Sequence, residues 1–145
     1  MALARKLQSK PGKIYVMMSD GECQEGTTWE SLLIAAKHKL DNLVVLIDYN
    51  KIQALTTLDE ALPLHNLPSK FKAFNWDCAE VNNGHSFEEL LPVLQESNAE
   101  GKPRVIIAHT IKGKGIKPFE NDPAWHARKI KGEELELGKK ELGMI

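Results

Sequence analysis

The feature that most constrains this chain is a set of four short, largely apolar runs set between segments of helical spacing. The runs are Ile14-Tyr15-Val16-Met17-Met18, Leu43-Val44-Val45-Leu46-Ile47, Trp76 to Val81, and Arg104 to His109. A strand that is apolar at successive positions is expected to be buried on both faces, as in parallel sheets covered on each side. Between the runs, Glu25 to Lys39 places Trp29, Leu32, Leu33, Ala36 and Leu40 on one helical face, and Leu67 to Phe74 reads as a short helix with Pro68 in its first turn. Ser86 is placed to cap a third helix, with Glu89 completing a Ser-x-x-Glu box and Phe87, Leu90, Leu91 and Leu94 turned to the sheet. The alternation predicts an α/β fold, a parallel sheet with helices on both faces.

Ala2 to Gln8 stops at Pro11-Gly12 and reads as the last turns of a helix, so the chain is expected to begin in mid-architecture, with earlier elements missing or supplied by another molecule. The polar passage after Asp48, through Thr57 and Pro63, is expected to be irregular, and a βα connection of that length points to function. A charged helix is expected from Glu133 to Leu142. With 145 residues, 42% of them hydrophobic, one domain spanning 1–145 is the default. Nineteen basic residues nearly cancel twenty acidic ones, and no basic block is interleaved with aromatics, which argues against nucleic acid as a partner. Cys23 and Cys78 form neither a disulfide framework nor a metal motif, and no apolar run reaches membrane-spanning length. A cytoplasmic protein with no membrane association is the expectation.

Ligands of open parallel sheets bind where the strands end. Asp20 follows the first run and Asn50 the second. Together with the Ile52 carbonyl they offer the carboxylate, carboxamide and carbonyl oxygens that a hard divalent cation prefers. Each is equally an ordinary turn residue when taken alone. Lys112-Gly113-Lys114-Gly115 can cradle a phosphate or be a solvated loop. Among five histidines only His126, beside Trp125 in a stretch with no regular pattern, invites a site reading.

Ser19-Asp20-Gly21-Glu22-Cys23-Gln24-Glu25-Gly26, Trp29-Glu30, Leu40-Asp41-Asn42-Leu43 and Asp48-Tyr49-Asn50-Lys51 closely resemble the thiamine-diphosphate-binding domain of transketolases. The likeness is closest to the N-terminal subunit of the split, two-gene type. It continues through Phe74-Asn75-Trp76, Asn83-Gly84-His85, Gly101-Lys102-Pro103, His109 to Gly115 and Trp125-His126. The resemblance implies that Asp20, Asn50 and the Ile52 carbonyl hold a Mg2+ or Ca2+ clamping the diphosphate of thiamine diphosphate, with Ser19, Gly21 and Glu22 alongside. It implies an interface role for Glu25, and it makes Lys112 and His126 the basic catalytic residues of the substrate channel. It further implies transfer of a two-carbon ketol unit between sugar phosphates. A separate C-terminal subunit would carry the pyrimidine-binding domain, in a dimer or heterotetramer.

The sequence departs from that pattern in three places. Ser19 stands for the first glycine of Gly-Asp-Gly, Ala127 for the glycine after Trp-His, and Ala54-Leu55-Thr56 for an Ile-Asp-Gly-like turn. The family's upstream segment is expected to be missing. A non-catalytic homologue or interaction module with weak cofactor binding is therefore the competing expectation. Deoxyxylulose-phosphate-synthase-like chemistry shares the metal motif but not the Pro123-Ala124-Trp125-His126 context, and no Gly-x-Gly-x-x-Gly follows a strand.

Overall fold

Four parallel strands form one sheet, in which the strands lie in the order first, second, fourth, third of the chain. The computed structural model describes residues 1–145, running α1 (Ala2–Leu7), β1 (Ile14–Ser19), α2 (Gly26–Lys37), β2 (Leu43–Tyr49), α3 (Leu58–Ala61), α4 (Leu67–Ala73), β3 (Asp77–Val81), α5 (Phe87–Gln95), β4 (Arg104–His109) and α6 (Glu133–Glu141). Backbone packing divides the chain into two compact units, Met1–Tyr49 with Leu64–His109, and Asn50–Pro63 with Thr110–Ile145. No helix is long and apolar enough to cross a membrane.

The first unit holds the whole sheet. Register pairs Val44 with Arg104 and Val45 with Val105 in the centre, Asp77 with Arg104 on one side and Ile14 with Leu43 on the other. Period-two alternation then sorts the side chains. Val44, Val81 and Ile106 are buried on one face, packed with Leu90, Val93 and Leu94 of α5. On the opposite face Val45 shares a groove with Leu32 of α2 and with Trp76. That face is finished by aromatic packing. Phe71 of α4 is fully buried, with Trp29 at 5.6 Å and Trp76 at 6.1 Å between ring centroids, and the Trp76 indole donates to the Leu32 carbonyl at 3.1 Å. Helices thus cover both faces, as the alternation of elements predicts. At the start of β4 the buried Arg104 guanidinium pairs with Glu96, lies 3.6 Å from Asp77 and donates to the Ser97 carbonyl at 3.3 Å.

The structure differs from the sequence reading at several apolar positions expected to be buried. The sequence of β1 predicts burial on both faces, yet Tyr15, Val16 and Met17 are exposed, Met17 at 69%. An apolar run does not distinguish a central strand from an edge strand, and β1 pairs only with β2. Leu33 of α2 and Phe87 and Leu91 of α5 are likewise exposed. In α2 the buried positions are Leu32 and Ala35, and in α5 the packing row is Leu90, Val93 and Leu94. The expected box at α5 is half made. The Ser86 hydroxyl accepts from the Glu89 N–H at 3.3 Å, but the Glu89 carboxylate accepts from the Asn83 N–H at 3.0 Å instead of returning to Ser86.

The second unit contains more regular structure than its polar sequence predicts. Ile52 bridges Thr57, and α3 is closed by a full capping box between Thr57 and Glu60. Along α6, Gly138 lets the helix approach Ile116 and Phe119, where an added Cβ would meet the Ile116 side chain at 3.4 Å.

Removing the Phe71 ring should leave a cavity under α4. Phe71→Ala is expected to lower unfolding free energy by about 3–5 kcal/mol in denaturant titrations, whereas exposed Phe87→Ala should change it by no more than about 0.5 kcal/mol.

Candidate active site

The loop leaving β1 is closed by short-range hydrogen bonds. The Ser19 N–H donates to the Glu22 carboxylate at 2.7 Å and the Ser19 hydroxyl to the same oxygen at 3.1 Å, while the Glu22 N–H reaches back to the Ser19 hydroxyl at 3.4 Å. This is the reciprocal pattern of a capping box, and a glycine at position 19 would lack half of it. Ser19 is the last residue of β1 and is not among the residues with a positive φ. Asp20 follows. Its N–H donates to the Asp48 carbonyl at 3.3 Å, and the residue is 2% exposed. A tight turn, Gly21–Gln24, then leads to Glu25, whose extended backbone starts α2 and whose side chain is exposed.

Beneath this loop Cys23 is buried, and its carbonyl accepts the Trp29 indole N–H at 2.9 Å. Burial first, and then the Asp20 and Glu22 carboxylates, push the Cys23 thiol up from 9.0 to about 12. Cys78, half-buried in β3, is raised to about 11, chiefly by burial. The sequence offers no sign of this protection, because a cysteine's burial depends on which side of the turn faces the core.

Asn50 is the residue after β2, and its side-chain oxygen accepts the Ile52 N–H at 3.0 Å. The intervening Lys51 takes φ +66°, a left-handed conformation unusual for a side-chain-bearing residue, and its carbonyl accepts the Leu58 N–H at 2.8 Å. Asn50 and Ile52 are therefore held together by one small turn, and α3 braces it. The Thr57-x-x-Glu60 pattern is the legible signal for that brace.

The third loop brings Lys112 and His126 into contact. The Lys112 carbonyl accepts the Asn121 N–H at 2.9 Å, and Gly113, at φ +75°, lies so close to the Phe119 carbonyl that a Cβ there would meet its oxygen at 2.5 Å. Phe119 is buried and stacks on Trp125 at 3.9 Å between centroids, with the Arg128 guanidinium 4.7 Å over the indole. Asp122 caps the short turn Pro123–His126 by accepting the Ala124 N–H at 2.9 Å. With the loop folded back, Lys112 Nζ lies 3.2 Å from His126 Nδ1. Ala127 has φ −131°, which any residue adopts, so a glycine is not required after His126 here. Sequence reasoning singles out the loop that holds Gly113 but misses its close approach to Phe119 and the Phe119–Trp125 stack, since they matter only once the loop closes.

Of the residues singled out from sequence, Ser19, Asp20, Gly21, Glu22 and Glu25 lie in the first unit and Asn50, Ile52, Lys112 and His126 in the second. Ser19 ends β1, and the others stand on segments that follow the strands β1, β2 and β4 in the chain. The oxygens of Asp20, Asn50 and Ile52 are hard donors of the kind that bind Mg2+ or Ca2+, so their chemistry fits such an ion.

The model of the family described as "Transketolase, thiamine diphosphate binding domain" matches residues 7–145. This chain belongs to that family. It is 39% identical, over 98% of its length, to an apulose-4-phosphate transketolase component, named as one subunit of that enzyme, from Actinobacillus succinogenes, and covers 51% of that protein. It is 36% identical to the 6-deoxy-6-sulfo-D-fructose transketolase subunit SqwG of a Clostridium species, again over 98% of this chain and 52% of the relative. The chain thus spans about half the length of these two relatives. Transketolase of Campylobacter jejuni superposes with a TM-score of 0.86 at 30% identity, over 98% of this chain and 23% of that one. The α/β fold is that of the transketolase thiamine-diphosphate-binding domain.

The raised thiol sets an alkaline limit on stability. Because the folded state keeps the Cys23 proton longer than the unfolded one, its contribution is whole below pH 9.0 and is lost as pH rises towards about 12. Cys23→Ala should flatten that part of the stability-against-pH curve, measured by denaturant unfolding beside the parent chain.

Proposed function

We propose that this transketolase-family chain supplies the diphosphate- and metal-binding wall of a split transketolase, which moves a two-carbon ketol unit from a ketose phosphate to an aldose phosphate. The observation that carries the reading is Asp20, a carboxylate 2% exposed at the end of a parallel strand in a chain matched by the thiamine-diphosphate-domain family. A carboxylate is an oxygen donor of the kind a hard divalent cation takes.

In this reading Asp20, Asn50 and the Ile52 carbonyl hold Mg2+ or Ca2+, and Ser19, Gly21 and Glu22 lie beside the diphosphate. When bound, thiamine diphosphate supplies the carbon-centred chemistry that makes and breaks the bond to the two-carbon unit. The protein's own share is placement. Asn50 keeps its oxygen fixed through the Ile52 N–H, and Lys112 and His126 offer hydrogen-bond donors to substrate oxygens. Glu25, exposed at the start of α2, is assigned to the contact with a neighbouring subunit. The names of the two subunit-type relatives support a partner subunit, here assigned the pyrimidine-binding domain, in a dimer or heterotetramer. The sugars in those names carry a phosphate or a sulfonate, which supports an anionic sugar as substrate.

Titration calorimetry with Mg2+ and thiamine diphosphate tests the proposal. Weak binding is expected from the chain alone and tighter binding with the pyrimidine-domain subunit present. Asp20→Ala should weaken the assembled complex's cofactor affinity by about 10- to 100-fold, the scale of one charge-assisted contact. Unchanged affinity would remove Asp20 from the metal site.

A further inference from the structure

We infer that Lys112, beyond the donor it offers to substrate, fixes the tautomer of His126, making that ring a hydrogen-bond donor through Nε2 and not a base. The inference rests on the reading of His126 as a substrate-facing residue, and deepens it.

The starting point is what each group can do. A lysine ammonium has three N–H donors and no acceptor, whereas a neutral imidazole has one protonated and one acceptor nitrogen. Lys112 Nζ stands 3.2 Å from His126 Nδ1, so the contact is a hydrogen bond only when Nδ1 presents its lone pair. The Nδ1–H tautomer would point a donor at a donor. The proton of the neutral ring is thereby directed to Nε2.

The arrangement is built into the loop. Lys112 is held from below by the Asn121 N–H on its carbonyl, and the close approach at Gly113 admits no side chain. His126 is held from the other side by the Phe119–Trp125 stack and by the Asp122 cap on its turn. The contact between them joins the two ends of a 14-residue separation. A ring held in this way donates to a carbonyl or hydroxyl oxygen and is suited to an oxygen that gains negative charge. It does not serve to withdraw a proton through Nδ1, which is already occupied.

The tautomer can be observed without cofactor or substrate. A long-range proton–nitrogen NMR spectrum of the chain with 15N-labelled histidine, at a mildly alkaline pH, separates protonated from unprotonated ring nitrogens, and His126→Gln assigns the signals. We expect Nε2–H to outweigh Nδ1–H in the parent chain by about tenfold or more, as a charge-assisted hydrogen bond would give. Lys112→Met should reduce that ratio several-fold, Lys112→Arg should retain it because a guanidinium also only donates, and Lys112→Glu should reverse it by accepting from Nδ1–H. A parent ring that is mainly Nδ1–H, or a ratio unmoved by Lys112→Met, would overturn the inference. Because no thiamine diphosphate is present, that failure would leave the cofactor reading standing. Failure to bind cofactor would in turn leave the tautomer result intact.

Discussion

Parallel pairing between β1, β2, β4 and β3 is the constraint on which the rest of the structure depends. Parallel neighbours run in one direction, so their carboxyl ends must share an edge of the sheet, and every strand has to return by a crossover. The two central strands meet this demand with side chains that are apolar in both directions, and β4 is buried from Arg104 to Ala108. Helix α5 and the aromatic group around Phe71 then press on opposite faces. Once that is done, where Asp20 and Asn50 leave the sheet is no longer a local choice. It follows from where the apolar runs stop.

The loops beyond the strands are held by short connections within themselves. Ser19 and Glu22 bond to each other, Asn50 holds Ile52, and Gly113 allows Lys112 to fold back towards His126. Each uses a polar side chain or a bare Cα to fix a backbone that has no ladder to rely on. Of the three departures from the family pattern, two, Ser19 and Ala127, occupy backbone that an ordinary residue adopts.

Much of this is legible in the sequence, and the failures share a cause. The four strands, the parallel sheet and the positions of Asp20, Asn50, Lys112 and His126 can be read because they depend on local pattern and on a chain of motifs in fixed order. The exposure of Tyr15, Leu33 and Phe87 cannot, because it is decided by which element lies across from each residue. The alternation of apolar and polar positions identifies a face without saying whether anything covers it. Pairings such as Glu89 with Asn83 in place of Ser86 are decided by loop geometry of a few ångströms. The same holds for Trp125, whose stack on Phe119 gives His126 its place.

The exposed face of β1 has a consequence for the protein as a material. Between Lys13 and Asp20 the strand carries no charge, its outer edge has no partner in the sheet, and Tyr15 and Met17 border an open apolar groove with Leu46 and Leu94. Natural sheets usually blunt such an edge with lysine, proline or a bulge, and none stands within this strand. An exposed apolar strand of this kind offers a surface to which another apolar or strand-forming segment can be added, so it bears on what the chain associates with more than on how hard its core is to unfold.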